Sequence, residues 1–92
     1  MASTNKKILI IEDEALMLRS LSDTFREEGF SVLEANDGDN GLSSALENHP
    51  DIILLDIILP KMDGLTVLEK LRQDEWGKEV PVIILTNLSD SD

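Results

Sequence analysis

Three short runs of branched aliphatic residues, Ile8-Leu9-Ile10-Ile11, Ile52-Ile53-Leu54-Leu55 and Val82-Ile83-Ile84-Leu85, constrain the fold of this chain more than anything else in it. None alternates with polar residues. A half-buried strand shows period-two alternation, so an unbroken apolar run implies a strand covered on both faces, the habit of parallel sheets. The intervening segments read as helices. Leu18, Leu21 and Phe25 share one helical face, and Gly29 is a natural helix stop before a shorter, weaker strand at residues 31–35. Asp37 can cap a second helix, with Leu42, Ala45 and Leu46 on one face, and Pro50 leads into the third strand. A third helix follows Gly64, with Leu65, Leu68 and Leu71 at helical spacing, and Trp76-Gly77 and Pro81 punctuate the approach to the fourth strand.

The resulting order is βαβαβαβ. Strands alternating with helices of this length require right-handed crossovers, hence an α/β architecture with a parallel sheet covered by helices on both sides. Ninety-two residues are enough for one such domain, expected over 6–92, behind a small, polar and disordered lead-in at 1–5. No stretch is long and apolar enough to span a membrane, and no secretory signal or cysteine points to an oxidising compartment, so the cytoplasm is the expected location. Nineteen acidic residues against eight basic ones give a net charge of −11. That field repels a nucleic-acid backbone and attracts a metal ion or a basic partner surface, so direct nucleic-acid binding by this segment is not expected.

Where the carboxylates converge decides which partner applies. In a parallel sheet all strands point their carboxyl ends to one edge, so Glu12 and Asp13 after the first strand and Asp56 after the third reach a common rim. In a doubly wound order 2-1-3-4 the first and third strands are neighbours, and the crevice between them is where ligands bind in such sheets. Repulsion among three carboxylates, roughly a kcal/mol or more per pair at a few ångströms, would be relieved by a cation. All-oxygen ligands favour a hard ion, and Mg²⁺ pairs one or two carboxylates with phosphate oxygens. An aspartate can then act as nucleophile and form an acyl phosphate, the role expected of Asp56.

The segment Asp56-Ile57-Ile58-Leu59-Pro60-Lys61-Met62-Asp63-Gly64 resembles the phosphoacceptor segment of response-regulator receiver domains of two-component systems. Glu12-Asp13 looks like that family's metal-binding pair, Thr86 lies at the family's usual distance beyond the acceptor, and the likeness runs from about residue 6 to the end. It implies a flavodoxin-like sheet and a cytoplasmic signalling phosphoprotein that takes a phosphoryl group from a histidine kinase or phosphotransfer protein. It further implies Mg²⁺ held by Asp13, Asp56 and the main-chain carbonyl of Ile58, with Glu12 acting directly or through water. Thr86 would hydrogen-bond the phosphoryl oxygens. The domain would not be an enzyme beyond its own self-catalysed phosphorylation and dephosphorylation.

A complete receiver domain continues through another helix, a fifth strand carrying a phosphate-contacting lysine, and a last helix. Lys6, Lys7, Lys61, Lys70 and Lys78 all fall outside that lysine's position, so the chain is expected to be a receiver lacking its C-terminal part. Its fourth strand would be an open edge, to be covered in a homodimer or by a complementary fragment, and assembly through that edge is the alternative function. A phosphatase with an aspartate nucleophile would want a second acid two residues on, where Ile58 stands. His49 is expected in a surface loop, and Trp76 under the third helix and away from the acidic rim.

Overall fold

A computed structural model describes residues 5–85 of the chain; Thr86 and most of the lead-in at 1–5 lie outside the described residues. Four strands, β1 (Lys7–Ile11), β2 (Ser31–Ala35), β3 (Ile52–Asp56) and β4 (Val82–Leu85), form one parallel sheet in the order β2-β1-β3-β4. Helices α1 (Ala15–Glu27), α2 (Gly38–Asn48) and α3 (Gly64–Arg72) make the crossovers. The doubly wound order expected from the sequence is the one observed.

The runs of β1 and β3 lack alternation because these central strands are buried on both sides. The run of β4, expected to be buried likewise, instead lies at the edge of the sheet among the described residues, with Val82, Ile84 and Leu85 half-buried and Ile83 exposed. Leu9, Ile11, Ile53 and Leu55 point to one face, where they join Ala45 of α2 and Val67 and Leu71 of α3. Ile8, Ile10 and Leu54 point to the other, against Leu18, Leu21 and Phe25 of α1. Each fully buried aliphatic side chain contributes about 1.5–3 kcal/mol relative to exposure, which makes β1 and β3 the anchor of the molecule.

Two helix faces differ from the sequence reading. Leu46 is 37 % exposed and Leu65 is 58 % exposed, whereas α2 buries Gly38, Gly41 and Ala45 and α3 buries Gly64, Val67 and Leu71. In both helices a glycine is turned inward and brings the backbone close to the sheet: a Cβ on Gly41 would lie 2.6 Å from Ile11 Cδ1. The leucines on the neighbouring phase are rotated outward. Asp37 and Gly29 bound their helices as read, Asp37 Oδ1 accepting the N–H of Asn40 at 2.8 Å and Gly29 following α1 with φ 100°; α3 has a cap that was not singled out, Asp63, whose Oδ1 accepts the N–H of Thr66 at 2.8 Å.

Candidate metal and phosphoryl site

Sheet register brings the acidic residues together. Ile11 pairs with Leu55, so one residue further on Glu12 lies level with Asp56 on the adjoining strand. Paired residues of a parallel ladder carry their side chains on the same face, about 4.8 Å apart. Glu12 stays in the ladder through its N–H, which donates to the Ala35 carbonyl at 3.0 Å. Asp13, the next residue, is exposed at the mouth. One carboxylate oxygen from each of Glu12, Asp13 and Asp56 lies within 4.8 Å of the others, with Glu12 and Asp56 buried.

Three like charges so placed, two of them out of water, are an unfavourable arrangement for the protein alone. Its mark is on Glu12, whose pKa is raised above the ordinary carboxylate value by burial first, and then by the charge of Asp56, a hydrogen bond shared with it, and the charge of Asp13. The N–H of Glu14 works the other way, donating to Glu12 Oε2 at 3.0 Å. The carboxylate that serves the start of α1 is therefore Glu12, and not Asp13 or Glu14; Glu14 occupies the cap position without a side-chain bond.

Of the buried pair, Asp56 is the one held more loosely by the main chain. Its Oδ1 accepts one long hydrogen bond, 3.3 Å, from the N–H of Ile58. Ile58 itself turns its side chain to solvent and leaves its main chain beside the acidic mouth. Gly64 lets the first turn of α3 close over this loop: its N–H donates to the Ile57 carbonyl at 2.7 Å, and any Cβ there would overlap the Asp56 carbonyl. The donor set is wholly oxygen, anionic and at one end of an otherwise apolar sheet, which fits a hard divalent cation such as Mg²⁺.

A family model for the response regulator receiver domain matches residues 8–92. The chain belongs to that family. Receiver relatives include the DNA-binding dual master transcriptional regulator RpaA of Synechocystis, 42 % identical over 82 residues that make up 89 % of this chain and 34 % of the relative. The alkaline phosphatase synthesis regulator PhoP of Bacillus subtilis is 39 % identical over 82 residues, 89 % of this chain and 33 % of PhoP. The chain thus spans about a third of the length of these regulators. Among solved structures, the receiver domain of a Pseudomonas aeruginosa sensor histidine kinase superposes with a TM-score of 0.88 at 32 % identity, covering 97 % of this chain and 74 % of that one. That structure has a magnesium ion coordinated in its active-site cleft. The chemotaxis response regulator CheY4 of Vibrio cholerae superposes at 0.89 with 28 % identity, covering 95 % and 72 %. These relatives are transcriptional regulators and receiver domains, and among the described residues no helix is long and apolar enough to cross a membrane.

The remaining residues singled out in the sequence lie at the other end of the sheet. Trp76 packs against the cluster holding Val67 and Leu71, as expected, and its ring also stacks on His49, centroids 4.4 Å apart and planes 9° apart. His49 is exposed, and it closes α2 in the left-handed conformation with φ 48°. Reading the sequence missed Asp37 and Lys61 as a pair across two loops, Lys61 Nζ lying 3.8 Å from Asp37 Oδ2. No local signal links residues 24 positions apart in separate turns.

Proposed function

We propose that this receiver domain accepts a phosphoryl group on Asp56 from the phosphohistidine of a histidine kinase or phosphotransfer protein, with Mg²⁺ bound at the acidic mouth. The observation that carries this is the convergence of Glu12, Asp13 and Asp56 within 4.8 Å at the carboxyl ends of β1 and β3. Asp13 and Asp56 would hold the ion, with the Ile58 carbonyl as a further ligand and Glu12 acting directly or through water. When bound, the ion neutralises charge on the transferring group and on the carboxylates around it.

The chain's own residues do the rest. An Asp56 oxygen attacks phosphorus as the phosphorus–nitrogen bond of the donor breaks; the new bond is an acyl phosphate and the donor histidine leaves to take up a proton. Asp56 suits this because the one main-chain bond it accepts is long, 3.3 Å, whereas Glu12 is held by the Glu14 N–H at 3.0 Å. Thr86, one residue beyond β4, would contact the phosphoryl oxygens. Water later cleaves the acyl phosphate, releasing inorganic phosphate and regenerating the carboxylate, so any catalysis is confined to the domain's own phosphate. The strongly negative chain works in the cytoplasm without touching nucleic acid directly.

Beryllofluoride with Mg²⁺ should shift the amide resonances of residues around Asp13, Asp56 and Thr86, because it mimics a phosphoryl group on a carboxylate. Unchanged spectra at saturating reagent would refute the reading. A second reading, assembly as a homodimer or with a complementary fragment, is favoured by β4, which among the described residues pairs with β3 alone and leaves Ile83 48 % exposed. Light scattering decides it: a stable monomer of about 10 kDa at micromolar concentration would end that reading.

A further inference from the structure

We propose that Gly38 and Lys61 are positioning residues for the acidic site, latching the loop at residues 57–63 onto the first turn of α2 and so fixing where its main chain lies beside the carboxylates. This rests on the reading of that site given above. The loop follows Asp56 directly and carries Ile58; Leu59 and Met62 pack against the core cluster, whereas Ile58, Pro60, Lys61 and Asp63 are all exposed. Its internal bonds, Met62 N–H to the Pro60 carbonyl at 2.8 Å and Gly64 N–H to the Ile57 carbonyl at 2.7 Å, shape the loop without fixing its outer part to the body.

Two contacts at the start of α2, on its cap residue Asp37 and on Gly38, add to the packing of Leu59 and Met62 in fixing it. Asp37, whose side chain is 10 % exposed, uses Oδ1 to cap α2 and turns Oδ2 toward Lys61 Nζ at 3.8 Å. Gly38 then lies so close to Met62 that any Cβ would overlap the Met62 carbonyl and crowd its side chain. Lys61 has φ 70°, a left-handed conformation that a non-glycine residue keeps only where its surroundings demand it. One contact is electrostatic and the other steric, and they hold the loop from the side of α2 while Gly64 holds it from α3. A shift of about an ångström in a positioning element can cost orders of magnitude at a site.

The sign of the effect separates positioning from charge. Replacing Lys61 by Met removes a positive charge near an anionic mouth, which by field alone would tighten Mg²⁺ binding. Loosening the latch should instead weaken it. The test is an Mg²⁺ titration of the full chain followed by amide shifts at low salt, alongside thermal unfolding. Lys61→Met should bind Mg²⁺ about two- to fivefold more weakly, the range of a single exposed ion pair, with little change in Tm, and Lys61→Arg should restore it. Gly38→Ala should weaken it further; should that variant not fold, Lys61→Met still decides. Wild-type protein that binds Mg²⁺ while Lys61→Met binds equally or more tightly overturns the latch alone. Wild-type protein that binds no Mg²⁺ overturns the site reading, and the latch with it.

Discussion

The two ends of the sheet are built on opposite principles. At the amino end, polar groups are paired: the Lys7 N–H donates to Asp51 Oδ2 at 2.7 Å, Lys7 Nζ to the Asn48 carbonyl at 2.6 Å, and Arg72 Nη1 to the carbonyls of Gly77 and Val80, both at 2.8 Å. At the carboxyl end, three carboxylates crowd together and two are buried. One end satisfies its charges within the chain and holds the fold together. The other leaves charge uncompensated, which costs stability and creates a demand for a cation and a phosphoryl group.

Four substitutions put that contrast to the test. The largest effect is expected from Asp56→Asn, which should abolish labelling by a small phosphodonor while raising the Tm of the metal-free protein, since one buried like charge is gone. Labelling that survives in that variant would remove Asp56 from its role. Next comes Arg72→Met at the opposite end. Loss of its charge-assisted bonds should cost about 2–3 kcal/mol, a fall in Tm on the order of 10 °C, and leave Mg²⁺ affinity untouched. A large drop in that affinity would show that the two ends are not separable.

Glu12→Gln should act in the reverse direction, raising the metal-free Tm by a few degrees, on the order of 1 kcal/mol from relieved repulsion. The pH dependence carries the same sign. The folded pKa of Glu12 is raised, so its favourable contribution is complete below the ordinary value of 4.5 and is lost as pH rises through the raised folded value. Without metal, the wild type should therefore fall further below Glu12→Gln in Tm as the solution moves from mildly acidic to neutral. Thermal scans showing a pH-independent difference would contradict this. The smallest effect belongs to His49→Ala, which removes the stack of an exposed ring on Trp76 and should cost about 0.5 kcal/mol without touching phosphorylation. Because Trp76 is the only tryptophan, its fluorescence should follow that change and stay silent when Mg²⁺ binds.

Much of the frame was legible before any coordinates. The unbroken aliphatic runs specified parallel strands, buried on both faces for β1 and β3 but not for the edge strand β4, and Asp37 and Gly29 marked helix ends by chemistry local to each residue. The inward faces of α2 and α3 were less legible. Leu46 and Leu65 looked like core by helical spacing, but Gly41 and Gly64 point inward because close backbone approach outweighs the area of a leucine on the neighbouring phase of the helix. Trp76 was placed against the core correctly, yet its stack on His49 joins two loops 27 positions apart and leaves no trace in either segment.

Hydrophobic patterning and chain direction act locally, so the residues alone were enough to mark which segments are strands, that β1 and β3 are covered on both sides, and that Glu12, Asp13 and Asp56 stand at the ends of those two. Only the tertiary structure decided that Glu12 stands level with Asp56, and that Lys61 reaches across to Asp37. Strand register and loop-to-helix contact are set by how distant parts of the chain pack, and a shift of one residue in register would have turned the same carboxylates to opposite faces.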